Sequence, residues 1–338
     1  MRDLAAQILA GEEAWVVGGA VRDELLGRPV LDLDIACRDP RGAARSYARR
    51  SGGSPFPLSE RWGAWRVALE EGRTVDFTPL RNGIEEDLGT RDFTVNAIAV
   101  PLGGGAPVDP FDGLGDLRRR RLRAVSAEIF ADDPLRLLRA VRLEDELGFR
   151  LDNGTEQLAR DGARAVTEPS GERILAELLR LSEAGYRRLE ELGLLDPLGG
   201  SLERLERAHT PETRLVAVLG EALGRLPVSN ELHRLSAVLL GAEPPVNDSP
   251  RSIHRFRRAT EPWALEALHY VGAPELEDAV LRARADEPRE PLLRGDELGL
   301  PPGPEIGRIL ERIDEERAAG TIATKDEALE LARREAKA

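Results

Sequence analysis

Short apolar runs and alternating stretches fill the first third of the chain, and longer helical periods fill the rest. AWVV (14–17) is a four-residue apolar run that ends in Gly18-Gly19. VLDLDIAC (30–37) alternates with period two, as a strand with one buried face does. WRVALEEGRTVDFTPL (65–80) predicts two antiparallel strands around a turn at Glu71-Gly72. Among these, AVRDELLG (20–27) predicts one or two helical turns closed by Gly27, and RGAARSYARR (41–50) predicts a helix. The mixture implies an antiparallel or mixed sheet with helices, because the regular strand–helix alternation of a doubly wound fold is missing.

From about residue 125 the pattern is helical. Asp132–Glu146, Glu172–Ser182, Ala184–Glu191, Glu212–Leu223, Asn230–Leu240, Glu261–Val271 and Pro274–Ala285 carry leucines and alanines at three- and four-residue spacing. Gly- and Pro-rich punctuation falls at Asp196–Ser201, Gly241–Pro250 and Leu298–Pro304. The expected class is α+β: an α/β head of roughly 125 residues on a long all-helical remainder, with no internal repeat.

Composition narrows the compartment. No stretch approaches the roughly 18 apolar residues of a membrane span, and the acidic start MRDLAAQILAGEEAW does not read as a signal peptide. Cys37 is the only cysteine, so an intrachain disulfide is excluded and a cysteine zinc site is disfavoured. A cytoplasmic enzyme is expected, with no membrane and no required protein partner. The net charge of −13 argues on its face against a nucleic-acid partner, but a local positive stripe binds phosphate on an acidic molecule. Of 48 basic residues only Lys325 and Lys337 are lysines. A GC-rich genome gives the same bias, yet guanidinium groups also suit phosphate forks. Arg118 to Arg121 with Arg123 form the densest basic cluster, readable equally as a solvated helix end.

The chemistry gathers in GGAVRDELLGRPVLDLDIA (18–36). A glycine pair that follows a strand and opens a helix lets backbone N–H groups approach a triphosphate, so Gly18 and Gly19 are candidate phosphate contacts and Arg22, one turn on, can reach a phosphate. Asp32 and Asp34 stand at i and i+2, on one face of a strand, with Leu31, Leu33 and Ile35 on the other. Two adjacent carboxylates repel unless a cation lies between them. A pair of Mg²⁺ ions fits, one acidifying an attacking hydroxyl and the other holding a triphosphate and its leaving pyrophosphate. A solvent-facing strand side accounts for the same spacing. Asp76, in RTVDFTPL, is either a third carboxylate on a neighbouring strand, activating the hydroxyl, or a surface group.

Together these residues resemble the nucleotidyltransferase superfamily of DNA polymerase β. They resemble more closely the bacterial and eukaryotic class of tRNA nucleotidyltransferases (CCA-adding enzymes) and their sister bacterial poly(A) polymerases. EEDLGTRDFTVNAIAV (85–100) is similar to the family's second motif, which assigns contacts with the nucleotide's sugar and phosphates to Arg91 and Asp92, with Asn96 nearby. DPFDGLGDL (109–117) resembles the flexible third motif. FADDPLRLLRAVRLEDELGF (130–149) resembles the nucleotide-selecting helix, ERILAELLRL (172–181) the helix that supports it, and 291–334 the common C-terminal segment. The resemblance implies a polymerase-β-like catalytic head over 1–124, a helical neck over 125–190 and a helical body and tail over 191–338 that hold tRNA. CTP and ATP are the implied substrates.

In the selecting helix Asp133, Arg136 and Arg139 recur every three residues and, on one helix, share an arc of roughly 120°. Arg142 drifts to the far side and is expected to be a packing or ion-pair residue. A carboxylate beside a guanidinium offers an acceptor next to donors, matching the amine and ring nitrogen of cytosine or adenine and opposing uracil and guanine. In the family Asp133 and Arg136 act as this protein template, and Arg139 also contacts the nucleotide. The acidic pair often written Glu-Asp there reads Asp132-Asp133 here. Only Asn82–Thr90 separate the third-carboxylate strand from Arg91, where many CCA-adding relatives have a longer loop that switches cytosine to adenine addition. Template-independent addition of C and/or A to the 3′ end of tRNA is therefore expected, with the short segment leaning toward a CC-adding specialist, and a poly(A) polymerase or a catalytically silent RNA-binding paralogue as alternatives. His209, His233, His254 and His269 are too scattered for the His-Asp hydrolase site that some relatives append.

Overall fold

Strand alternation in the first 101 residues builds one six-stranded sheet. In the computed structural model, which describes residues 1–59, 63–288 and 290–336, the strands are β1 (Ala14–Val17), β2 (Asp32–Cys37), β3 (Ser54–Ser59), β4 (Ala64–Ala68), β5 (Thr74–Pro79) and β6 (Ala99–Pro101). They lie in the order β3-β4-β5-β2-β1-β6, with β2 and β5 parallel and the other neighbours antiparallel. β3 and β6 were not legible as strands. Pro55 and Pro57 break the β3 pattern, and prolines are tolerated here because β3 is an edge strand.

Helices α1 (Arg2–Ile8), α2 (Gly19–Leu25), α3 (Pro40–Ser51), α4 (Ile84–Gly89) and α5 (Gly113–Arg118) complete this region. Leu33, Ile35 and Cys37 are buried on the face that carries Phe77, whose ring stands 5.8 Å from Tyr47 of α3. Leu31, expected to share that face, precedes the strand and is 57% exposed. On the other face Val17, Ala36 and Ala99 pack with Ile84 and Leu88 of α4. α4 therefore covers one part of this face, and the rest carries Asp34, Asp76 and Arg66, neighbours in register across β2, β5 and β4.

The basic cluster is largely spent on one buried acid. Arg121 forks Asp116 at 2.8 and 2.6 Å, and Arg123 donates to it at 2.9 Å. A short parallel pair, β7 (Arg121–Leu122) and β8 (Arg150–Leu151), brackets α6 (Ile129–Asp132) and α7 (Leu135–Leu147), and α8 (Asn153–Asp161), α9 (Gly171–Leu178) and α10 (Glu183–Glu191) follow. The helix expected from Asp132 begins only at Leu135. Asp133 is extended (φ −149°, ψ 96°), because Pro134 disfavours helical backbone in the residue before it. The shared-arc argument thus holds for Arg136 and Arg139 but not for Asp133. Arg142 is the expected ion-pair residue, bonded to Glu177 at 2.5 Å and Glu146 at 2.9 Å.

The chain divides into two compact units, Met1–Leu198 and Gly199–Ala338. The second is helical: α11 (Pro211–Leu219), α12 (Asn230–Gly241), α13 (Pro250–Thr260), α14 (Ala264–Tyr270), α15 (Glu277–Ala285), α16 (Pro304–Ala318) and α17 (Lys325–Glu335). The helix expected over Glu261–Val271 starts three residues late, after Pro262. That expected over Glu212–Leu223 leaves α geometry at Gly220 and tightens to a 3₁₀ turn. α16 and α17 close over Leu293 with Ile309, Ile313, Ala328 and Ala332. His209 meets His269 edge-on, and His269 bonds Glu277 at 3.1 Å. Among the described residues no helix is long and apolar enough to cross a membrane.

Candidate active site

The turn from β1 into α2 sets the site. Gly18 has φ +71°, and a Cβ there would stand 2.8 Å from Arg91 Nη1 and 3.2 Å from Asp34 Oδ2. Only glycine accepts both that backbone and that squeeze between a guanidinium and a carboxylate. Asp34 is half-buried and Asp32 exposed, with Thr74 Oγ1 donating to Asp32 at 2.7 Å. Burial pushes the Asp34 carboxyl up to about 6. The charges of Asp76 and Asp32 add to the rise, and Arg91 and Arg66 only partly offset it. Asp76 is buried, and both its oxygens are held at 2.7 Å by Nε and Nη2 of Arg66.

Around Asp34 opens a cavity of about 350 Å³, lined by Gly18, Gly19, Thr90, Asp92 and Asn96, by the guanidinium groups of Arg91, Arg136, Arg139 and Arg173, and by Asp133 and Leu135. The charged groups that face Asp34 are braced. Arg91 is forked by Asp87 at 3.1 and 2.8 Å, and Arg136 donates to the Thr90 carbonyl at 2.6 Å. Asp133 accepts from Leu135 N at 3.3 Å and from Arg173 at 2.7 Å.

Asp92 is buried and fully engaged. Oδ1 accepts from Phe93 N and Asn96 Nδ2, both at 2.8 Å, and Oδ2 accepts from Arg139 at 2.9 and 2.6 Å. Burial alone raises its pKa, but Arg139, the Asn96 amide and the Phe93 N–H more than reverse this and hold it at about 2. Arg22 is also buried, donating to Asn96 Oδ1 at 2.6 Å and forking Asp23. The structure thus brings Gly18, Gly19, Asp34, Arg91, Asp92, Asn96, Asp133, Arg136 and Arg139 to one cavity. Asp32, Asp76 and Arg22 stand outside its lining. A larger cavity, about 880 Å³, lies in the second unit among Pro244, Pro245, Val246 and Phe256 and contains none of these residues.

Sequence reading missed Arg66, Asp87 and Arg173. The predicted hairpin about Glu71-Gly72 brings positions 66 and 76 close to facing each other, which was a usable signal for Arg66. Asp87 and Arg91 are four apart, the spacing of a helical ion pair. Nothing local marked Arg173, whose partner is 40 residues away.

A sequence profile for the poly A polymerase head domain matches residues 14–123. The CC-adding tRNA nucleotidyltransferase of Geobacter sulfurreducens is 34% identical across 94% of this chain and 91% of that protein. The chain belongs to the tRNA nucleotidyltransferase family. The A-adding tRNA nucleotidyltransferase of Deinococcus radiodurans, another relative, is 35% identical over 93% of this chain and 94% of its own. The family fold extends over the whole sequence. A CCA-adding enzyme solved with CTP matches with a TM-score of 0.80 at 22% identity, covering 100% of this chain and 94% of that one. The Thermotoga maritima CCA-adding enzyme solved with tRNA matches at 0.73 and 24% identity, covering 98% and 94%.

Proposed function

We propose that this protein extends the 3′ end of tRNA without a nucleic-acid template, taking nucleotides from CTP and releasing pyrophosphate. The observation that carries the reading is the cavity itself, where a half-buried Asp34 faces four arginines and two fixed carboxylates, Asp92 and Asp133. Arg91 and Arg139 suit a triphosphate, and the N–H groups at the start of α2 add donors. Asp133 and Arg136 present an acceptor beside donors to the base edge, and Arg173 and Thr90 hold them in place. Asp92 acts through Arg139 and Asn96, since its own oxygens are already taken. Asp76, held beside Asp34 by Arg66, serves in this reading as the third carboxylate next to the attacking hydroxyl. Within this reading, residues 1–124 are the catalytic head, 125–190 the neck and 191–338 the body and tail that bind tRNA by shape and phosphate contacts.

The donor set fits two Mg²⁺ ions at Asp32 and Asp34. Burial, with the charges of Asp76 and Asp32 adding to it, raises the Asp34 carboxyl to about 6, and a divalent cation would relieve that cost. Among the described residues no group of three or more His, Cys, Asp or Glu is arranged to hold a metal ion. One or two carboxylates, completed by substrate phosphates and water, is the usual way Mg²⁺ is held. Bound there, the ions supply acidification of the RNA 3′-hydroxyl and charge neutralisation of the leaving pyrophosphate.

The product is expected to end in two added cytidines. The segment Asn82–Thr90 includes α4, whose Ile84 and Leu88 are buried in the core, so it does not serve as a long lever between head and neck. The test is to incubate the protein with tRNA ending at the discriminator base, with labelled CTP and ATP, and sequence the products. Two added cytidines support the reading, and efficient complete CCA ends overturn the two-cytidine product. No incorporation from any nucleotide in Mg²⁺ overturns the function.

A further inference from the structure

We propose that the open end of the sheet, Phe56 of β3 with Arg66 of β4, receives the unpaired 3′-terminal nucleotides of the RNA substrate, an inference that rests on the function just proposed. Phe56, Arg66, Asp76 and Asp34 are cross-strand partners in succession. Direct partners project from the same side of a sheet, so all four share one face. Phe56 lies three strands from Asp34, about 14 Å at the usual strand spacing.

The cavity fixes the direction of approach. It lies to one side of Asp34, against Gly18, Gly19, Arg91, Arg136 and Arg139, and neither Asp76, Arg66 nor Phe56 lines it. In phosphoryl transfer the attacking and leaving oxygens are roughly in line. With the triphosphate in the cavity, the leaving pyrophosphate departs on that side. The attacking 3′-hydroxyl then enters from the opposite side, across β5, β4 and β3.

The surface along that path suits a single strand. Phe56 is 42% exposed in a chain with few aromatic residues, and Leu58 beside it is 45% exposed. Unpaired bases are held by stacking on aromatic side chains, with little dependence on sequence. Arg66 holds Asp76 through Nε and Nη2, while its Nη1 carries no hydrogen bond among the described residues. One guanidinium can therefore keep the third carboxylate in place and meet an RNA phosphate with its remaining edge.

The test compares initial rates for the full-length parent, Phe56→Ala, Phe56→Leu and Phe56→Tyr, varying tRNA and CTP separately. Phe56→Ala and Phe56→Leu should raise the KM for tRNA by about 5- to 150-fold, the range expected for loss of one base stack. The KM for CTP should stay within about twofold, since CTP uses the other side of Asp34. Phe56→Tyr should keep near-parental values. On an RNA whose unpaired 3′-terminal nucleotides lack their bases, parent and Phe56→Ala should become equal. An unchanged tRNA KM in Phe56→Ala, or a defect that persists on the abasic end, would overturn the proposal. So would a change only in self-association on gel filtration, which would make the strand edge a contact between copies of the chain. A parent that incorporates CMP normally while Phe56→Ala matches it sinks this inference alone; a parent that incorporates nothing sinks the function beneath it.

Discussion

Asp34 lies between the charges of Asp32 and Asp76 on one side and Arg91 on the other, at the mouth of the cavity. Asp34→Ala should abolish nucleotide addition and leave tRNA affinity nearly unchanged, because phosphate contacts elsewhere hold the RNA. Filter binding beside an extension assay separates the two, and substantial Mg²⁺-dependent activity in the variant would contradict the assignment. Asp133 gives a subtler readout. Asp133→Ala should erode the preference for CTP over UTP by about 5- to 150-fold, the worth of roughly 1–3 kcal/mol for a buried polar contact, measured as a ratio of kcat/KM values. Asp92 tests the network behind the cavity. Its folded pKa, about 2, lies below the ordinary value of 3.8. Its contribution to stability is therefore complete above pH 4 and is lost as pH falls through about 2. The contribution is on the order of 2 kcal/mol. Asp92→Asn should be less stable near neutrality and show a shallower acid limb between pH 4 and 2, read by urea unfolding across pH. An acid limb identical to the parent's would refute the network.

Among the elements, α9 organises α7. Glu177 bonds Arg142 and lies 3.8 Å from Arg139, and Arg173 of the same helix holds Asp133. These contacts help bring Asp133 and Arg139 to one cavity although Asp133 is not helical. α4 carries the element-scale prediction. Because it is short and anchored by Ile84 and Leu88, inserting a longer flexible loop between Arg81 and Arg91 should restore some adenosine addition after the two cytidines. Product sequencing detects it, and a graft that still stops at two cytidines while folding normally would move the control elsewhere. At this scale the sequence was read well where one period ruled a segment, as in β1, β2 and the β4–β5 hairpin. It was read poorly at β3, whose prolines disguise an edge strand, and at the start of α7, where Pro134 overrode the helical spacing of its neighbours.

For the whole molecule, the proposed function sets a net charge of −13 against the binding of a polyanion. RNA binding then depends on local positive surface against a repulsive background, and both terms are screened by salt. Raising monovalent salt from 50 to 200 mM should weaken tRNA binding by about tenfold or more; a Kd that does not change would show that phosphate contacts are not what holds the RNA. The sequence by itself determined the sheet-and-helix division, the pairing of Asp32 with Asp34 on one strand, the glycine turn before them and the ordered motifs that led to the family. Each of these is a local matter, set by the period of a single element or by the conformational needs of a single turn. Tertiary structure alone decided how the charges are spent: Asp92 on Arg139, 47 residues away, Arg22 on Asn96, 74 residues away, and Asp133 on Arg173, 40 residues away. A carboxylate or guanidinium reads the same in a sequence whether it faces a substrate or a partner side chain. Which of the two it meets depends on how separate elements pack, and no periodicity along the chain encodes that.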